Sequence, residues 1–502
     1  MFKQGLDPKS IYEFKIKDIN FLDEKNLFNE IRRVYLKCIS CRICIGFCPS
    51  FPALFNAFDN KDGDMNALTD NELINPLDLC FYCKQCYFKC PFTPPHEWRI
   101  DFPHLALRYK VFRFKKEGAK IQDKLLLDTD KMGKRSVPLS PVINKLNNFP
   151  LFRSLLEPLM GIDKRAKVPS FNKVTFEKWF YDNYKKPSSL SGSNDVFKPN
   201  PLKTINSSYD KTDNAINKEI NKEINPKINN SDKGNNSVNI NDNNISNNIT
   251  NNNNTNNNNN NISNSDKAVL FYTCMINYNF LDRGIALIKV LEKNGINIEL
   301  PDVQCCGIPY YDIGDIESSI QKAKFNVKSL KRYVDKGYDI IVPVPTCAMQ
   351  IKHEYPLLLP DDDDVIAVAN KTYDVHEYLF HLYENGKFNM DFKKPMGKIV
   401  YHISCHLKSL NVGYKALSLL KLIPQTEITV IEKCSGHDGT FGVKKKTFNY
   451  AVNVGKSLFE DINSTNADYY VSDCPLASDQ IEMGTGKKVM HPLEILYKSY
   501  MG

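Results

Sequence analysis

Two periodicities divide the chain. Between about residues 26 and 118 apolar positions recur at helical spacing, interrupted by short cysteine-rich loops. After residue 266 the pattern changes to short apolar runs, each followed by a helical segment, which predicts α/β units. Between the two, from about Pro187 to Asp266, both periods dissolve into Asn, Ser, Lys and Ile, with NKEINKEIN and NNNNTNNNNNN inside. Such a segment cannot bury enough apolar surface to offset its ordering entropy, so a disordered linker is expected.

The second half repeats itself. AVLFYTC (268–274) and KIVYHISC (398–405) each read as a strand that delivers a cysteine at its end, and DIIVPVPTC (339–347) and DYYVSDC (468–474) do so again later in each copy. Between them VQCCGIPYYDIG is matched by EKCSGHDGTFG, and the copies close on VHEYL (375–379) and MHPLEIL (490–496). Four matches in one order imply an internal duplication. His376 and His491 fall in these closing phrases and are assigned structural parts. One further stretch, His104 to Leu127, is basic and aromatic-rich at helical spacing. It reads either as a helix packed on its own domain or as a docking surface for a partner or anionic lipid.

Composition narrows the chemistry. The 502 residues suggest two to four domains, and 15 cysteines, an odd number, are too many to ignore. Residues 1–20 mix acids with bases and lack the apolar core of a secretory signal, so a reducing compartment is the better expectation and a disulfide framework is not. There, clustered cysteines usually bind metal or catalyse. No apolar run approaches the length of a membrane span. A net charge of +8 is too diffuse to argue for nucleic acid. The expected location is cytoplasmic, including a peripheral position on the inner face of a membrane.

Residues 38–49, CISCRICIGFCP, and 80–91, CFYCKQCYFKCP, both read C-x2-C-x2-C-x3-C-P, the run associated with four-iron four-sulfur clusters. Three cysteines at three-residue steps on a turning loop can reach three corners of one cubane. The fourth, before a helix-breaking proline, points elsewhere and in two-cluster ferredoxins ligates the other cluster. The expected ligand sets are therefore Cys38, Cys41, Cys44 and Cys90 for one cluster, and Cys80, Cys83, Cys86 and Cys48 for the other. Zinc also takes four thiolates, but more usually from two separated C-x2-C pairs. Ile43, Ile45, Phe47, Tyr82, Tyr87 and Phe88, within the motifs, are expected to exclude water.

The duplicated half supplies a further set. Copy one offers Cys274, Cys305, Cys306 and Cys347 as a third cluster site. Adjacent thiolates make sense there, because neighbouring irons accept neighbouring sulfurs. Buried structural cysteines or a thiol-based catalytic pair are the other readings. Copy two is depleted: Cys405, Cys434 and Cys474 remain as a fourth site, with Ser435 in the place of Cys306. His406 and His437 stand close in sequence, as a missing ligand, as proton carriers, or as ordinary polar residues.

Taken together these motifs resemble the heterodisulfide reductase-related CCG-domain iron–sulfur proteins. The group includes the C subunit of anaerobic glycerol-3-phosphate dehydrogenase and the iron–sulfur subunit of glycolate oxidase. LCFYCKQCYFKCPFTPPHEW (79–98), YHISCHLKSLNVG (401–413) and CSGHDGTFGVKK (434–445) carry the likeness. The resemblance implies an α+β multidomain protein. An α-helical ferredoxin domain with two 4Fe-4S motifs (1–125) is followed by a helical extension (126–186), the linker (187–266), and two α/β cysteine-rich CCG domains (267–390 and 391–502). It further implies an electron-transfer subunit that passes electrons between a partner flavoprotein dehydrogenase and a quinone or other acceptor. The alternative is a disulfide or small-molecule reductase centred on copy one. Two departures weaken the alternative: Gln350 and Ala477 stand where heterodisulfide reductase has a second cysteine after Cys347 and Cys474, and Ser435 removes a further thiolate from copy two.

Overall fold

The computed structural model of the protein describes residues 14–184 and 267–501; the expected Asn-rich linker lies outside the described residues. The described part is mixed helix and parallel sheet.

The N-terminal lobe is helical. Helix Glu24–Cys41 starts where the Asp23 carboxylate accepts the Asn26 N–H, and it buries Leu27, Ile31, Val34 and Tyr35 on one stripe. It ends on Arg42 in the left-handed region, φ 51°. Helix Asp70–Asp78 begins with a reciprocal capping box, Thr69 with Glu72, and delivers the chain to Cys80. The turn that follows holds Tyr82 and Lys84 at φ 51° and 58°, an unusual conformation for side chains of this size. Ile43 and Ile45 do not exclude water, contrary to expectation: they are 56 % and 53 % exposed, because their loop runs over the surface. Tyr82 and Tyr87 are buried.

The second half forms two four-stranded parallel sheets of identical topology. The first, β1 (Lys267–Leu270), β2 (Asn297–Glu299), β3 (Asp339–Val342) and β4 (Thr372–Asp374), runs in the order β2-β1-β3-β4. The second, β5 (Gly397–His402), β6 (Thr426–Ile431), β7 (Tyr469–Ser472) and β8 (Val489–Met490), runs β6-β5-β7-β8. The duplication is therefore structural. In such sheets the strand order reverses between the first and third strands, and ligands gather there at the strands' carboxyl ends. Cys274, Cys347, Cys405 and Cys474 stand at the starts of the helices that follow those strands.

His376 and His491 stack on one another, ring centroids 5.3 Å apart. Their positions are not equivalent, however. Asp374 and His491 are the helix caps, boxed with Glu377 and Glu494, so His376 sits two residues further into its helix.

Helix Phe102–Glu117 packs rather than docks. Every residue from Phe102 to Val111 is buried, and Arg113, Lys115 and Lys116 pair with Asp78, Glu317 and Glu24. Beside it lies a buried ionic knot between the helical lobe and copy one. Lys84 Nζ donates to Glu354, both fully buried, and the Tyr311 hydroxyl donates to the same carboxylate. The Tyr82 hydroxyl donates to Glu354 at 3.1 Å, His104 Nε2 lies 3.4 Å from it, and His104 Nδ1 contacts Asp101 at 2.7 Å. Burial alone would raise the Glu354 pKa, but Lys84 and His104 hold it well below the usual carboxylate range. Removing one partner strands a buried charge, so Lys84→Met or Glu354→Gln is expected to destabilise the protein by about 3–5 kcal/mol. The double variant recovers part of that loss, as read from thermal unfolding of the anaerobic protein.

Candidate metal centre

The eight N-terminal cysteines gather into two groups. Cys38, Cys41, Cys44 and Cys90 line one small cavity, walled by Phe51, Phe55 and Phe92. Cys80, Cys83, Cys86 and Cys48 feel one another's charge in a second group. Burial pushes the Cys44 and Cys80 thiols up to about 12, and for Cys44 the neighbouring thiols add to it. Deprotonating several such thiols together needs a cationic core among them, which is what an iron–sulfide cluster supplies. The donor chemistry therefore fits that group. Among the described residues no three His, Cys, Asp or Glu side chains converge as the ligands of a single ion would. The thiols surround spaces rather than points.

Copy one brings its four cysteines together: the Cys274 and Cys305 sulfurs lie 4.0 Å apart, and those of Cys306 and Cys347 lie 3.4 Å apart. Hydrogen bonds from Cys274 and Cys306 draw the Cys305 thiol well below its ordinary range and leave those two donors raised. The turn is braced from outside. The Cys305 N–H donates to Asp130 at 2.8 Å, Lys322 pairs with Asp130 at 3.0 Å, and the Tyr355 hydroxyl donates to the Cys306 carbonyl at 2.9 Å. Copy two gathers Cys405, Cys434 and Cys474, with burial the first cause raising each and the last two standing near 11.

Glycine follows the cysteines for a steric reason. Gly307 and Gly436 sit at φ 91° and 78°, and a β-carbon on Gly436 would collide with the Ala451 carbonyl oxygen.

The second N-terminal group meets copy two directly. Gln85 Nε2 donates to the Cys405 carbonyl at 2.9 Å and to Ser409 Oγ at 3.0 Å, and Ser409 Oγ donates to the Cys83 carbonyl at 2.6 Å. His406 is occupied by this junction. Its Nδ1 lies 2.7 Å from Thr346 Oγ1, its Nε2 lies 3.4 Å from the Tyr82 carbonyl, and burial lowers its pKa to about 4. The His437 Nδ1 is buried without a partner among the described residues, and burial lowers that ring to about 4 as well.

All of this surrounds one cavity of about 1570 Å3. Cys48 and Cys83 line it, as do the four cysteines of copy one, the three of copy two, and Ser435. One wall comes from the helical extension. Helix Pro150–Met160 turns Phe152, Leu156 and Met160 inward, while Leu151, Leu155 and Leu159 point outward, each more than 60 % exposed. The two rows are neighbouring stripes of one broad apolar side, with Arg153, Ser154 and Glu157 on the other, so only part of that side is covered by the fold. The extension is pinned to copy two by an Ile162–Lys444 bridge and by the Asp163 N–H to the Val443 carbonyl at 2.8 Å.

This is the arrangement of an iron–sulfur protein that carries paired cysteine-rich domains. Residues 268–352 and 399–481 match the cysteine-rich domain CCG, and residues 31–114 match the citrate utilization protein B Fer4-like domain. The chain is homologous to the C subunit of anaerobic glycerol-3-phosphate dehydrogenase of Escherichia coli K12, at 26 % identity over 91 % of this chain and 97 % of that protein. It is similar to lactate utilization protein A of Geobacillus sp. WCH70, at 31 % identity over 46 % of this chain and 98 % of the relative. The B subunit of fumarate reductase (CoM/CoB) of Methanothermobacter marburgensis matches at 30 % over 47 % of each chain.

Gly436→Ala combines a disfavoured φ with a backbone collision, and the strain alone costs about 1–3 kcal/mol. The variant is expected to unfold at a lower temperature than wild type, whereas Gly295→Ala, at a left-handed turn with open space around it, loses less.

Proposed function

We propose that the chain is the iron–sulfur electron-transfer subunit of an oxidoreductase, passing electrons between a partner flavoprotein and a quinone. The observation that carries this is the junction of Cys83 and Cys405. It holds the Fer4-like lobe and copy two in fixed register above a cavity that all the C-terminal thiols share. The names of the relatives, subunits of a dehydrogenase and of a reductase among them, support the same role.

Cys38, Cys41, Cys44 and Cys90 would hold one 4Fe-4S cluster, and Cys80, Cys83, Cys86 and Cys48 a second. Cys274, Cys305, Cys306 and Cys347 would hold a third cluster, with Cys405, Cys434 and Cys474 as a three-thiolate fourth site. Such clusters supply one-electron steps at potentials that burial and hydrogen bonds tune. The chain's own residues fix the spacing, through Gln85 and Ser409, and exclude water, through Phe81 packed on Phe441 at 4.7 Å.

The acceptor side is read from the extension. The extension exposes Leu139, Val142, Phe149, Leu151, Leu155 and Leu159, an apolar face in the making, and exposes Lys134, Arg135 and Lys145 along the same stretch of chain. Among the described residues no helix is long and apolar enough to cross a membrane. This face suits lying in the interface of an anionic bilayer, where basic residues meet headgroups. Phe152, Leu156 and Met160 of the same helix line the cavity, so a lipophilic quinone held at the bilayer would stand one helix away from the thiols.

A second reading, reduction of a disulfide or small molecule at copy one, draws on Cys305 and Cys306 opening onto the cavity. It requires that Cys306→Ser abolish turnover of a disulfide substrate while the N-terminal clusters stay reducible.

Two measurements check the main reading. Anaerobically purified protein is expected to contain at least about eight iron and eight sulfide per chain, the content of two four-iron clusters. Lower values contradict it. Replacing Leu151, Leu155 and Leu159 together by Ser is expected to cut sedimentation with anionic vesicles at least tenfold, with the iron content unchanged.

A further inference from the structure

The geometry points to Asp312 and Asp438 as a proton-donating carboxyl pair that serves a quinone-class acceptor reduced in the central cavity. One acid comes from each copy. Asp312 follows the cysteine pair of copy one, in the short helix Ile308–Ile313, and Asp438 follows Cys434 in the matching loop of copy two. Both line the cavity that holds the C-terminal thiols. The loop that carries Asp438 comes up against Asp312: a β-carbon on Gly439 would lie 3.2 Å from Asp312 Oδ2, and Asp438 feels the Asp312 charge.

The loop of copy two is strained to reach this point. Asp438 sits at φ 44°, in the left-handed region that non-glycine residues rarely adopt, between Gly436 and Gly439 at φ 78° and 49°. Strain of this kind persists where the surroundings impose it, and it gathers at functional sites.

The electrostatics agree. Burial raises Asp312 to about 6, with Lys110 and Lys444 opposing and Glu354 adding to the rise. Burial and then the Asp312 charge raise Asp438 well above the carboxylate range, against the same two lysines. Two neighbouring carboxyls with one sign of charge retain a proton between them near neutrality. Lys110 reaches the pair from helix Phe102–Glu117, where its ammonium also donates to the Cys80 carbonyl at 3.2 Å. Lys444 comes from the copy-two loop, where it pairs with Asp123 at 2.7 Å.

The chemistry balances. A quinone becomes a quinol by taking two electrons and two protons, and each carbonyl oxygen gains one O–H. The partner's reduced flavin supplies the electrons. The carboxyl pair supplies a proton with each electron, by breaking its own O–H bond, and is refilled from water. This inference rests on the reading of the cavity as a quinone site.

The test separates electrons from protons. The full, cluster-loaded chain is reduced with dithionite, freed of excess, and mixed either with menadione or with ferricyanide, which accepts electrons without protons. Reoxidation is followed by visible absorbance. Asp312→Asn and Asp438→Asn are compared with wild type; asparagine tolerates the left-handed region, so the second change keeps the strained loop. Wild type is expected to react with both acceptors, and its menadione rate falls as pH rises, first past about 6, where Asp312 ionises, and again where Asp438, which holds its proton longer, follows. Both variants are expected to match wild type with ferricyanide and to react at least tenfold more slowly with menadione. Variants equal to wild type with both acceptors overturn the pair and leave the quinone reading standing. Variants slow with both acceptors show a structural effect and overturn the pair as well. A wild type that reacts with ferricyanide but not menadione overturns the pair and the quinone reading together.

Discussion

The arrangement depends on one buried ion pair. Lys84 lies between Cys83 and Cys86, and Glu354 lies in copy one, two residues past Lys352 and far from any surface. Two charges removed from water repay their desolvation only when every remaining hydrogen-bonding position is filled. Here Tyr82, Tyr311 and His104 fill them. The knot therefore tolerates a single docking register. A slip of the helical lobe against copy one would leave the carboxylate bare. Since the loop that carries Lys84 also carries the second group of thiols, the ion pair sets how far those thiols stand from the C-terminal ones.

Much of this could be read from residue patterns, and what could not was long-range. The strand-then-cysteine phrases were legible because a parallel sheet gathers its functional residues at the carboxyl ends of its strands. The duplicated topology follows from the same phrases. The ionic knot was not legible: Lys84 and Glu354 are 270 residues apart, and neither residue type announces burial. Asp130, which braces Cys305 from the extension, was hidden in the same way. The pattern of His104–Leu127 leaves open a docking surface that its first part, buried as far as Val111, does not provide. The exposed apolar face falls later, between Leu139 and Leu159, where leucines at helical spacing give the ordinary signal of a core helix. Only the fold shows that part of that apolar side, Leu151, Leu155 and Leu159, is left uncovered. The motif isoleucines, Ile43 and Ile45, mislead for a simpler reason, since hydrophobic residues are also common on surfaces.

The two copies present different residues to the shared cavity. Copy one keeps the full thiol set and carries the knot; copy two keeps three thiols, and its Cys405 helix meets the Fer4-like lobe. Each also contributes one of the two carboxyls. The asymmetry is written in substitutions, Ser435 for a cysteine above all, and in the connections, upon a sheet topology that remains the same in both.

The stacked pair His376 and His491 joins equivalent ends of the two sheets, as the seam of a symmetric dimer would. In a dimer of identical protomers any change to the seam or to a ligand is made twice, once in each protomer, and both pockets must survive it. Joining the two into one polypeptide removes that obligation. One half can then surrender a sulfur and acquire a bent acidic loop while the other stays as it was, so inheritance in tandem is what permits a single cavity to have two unlike sides.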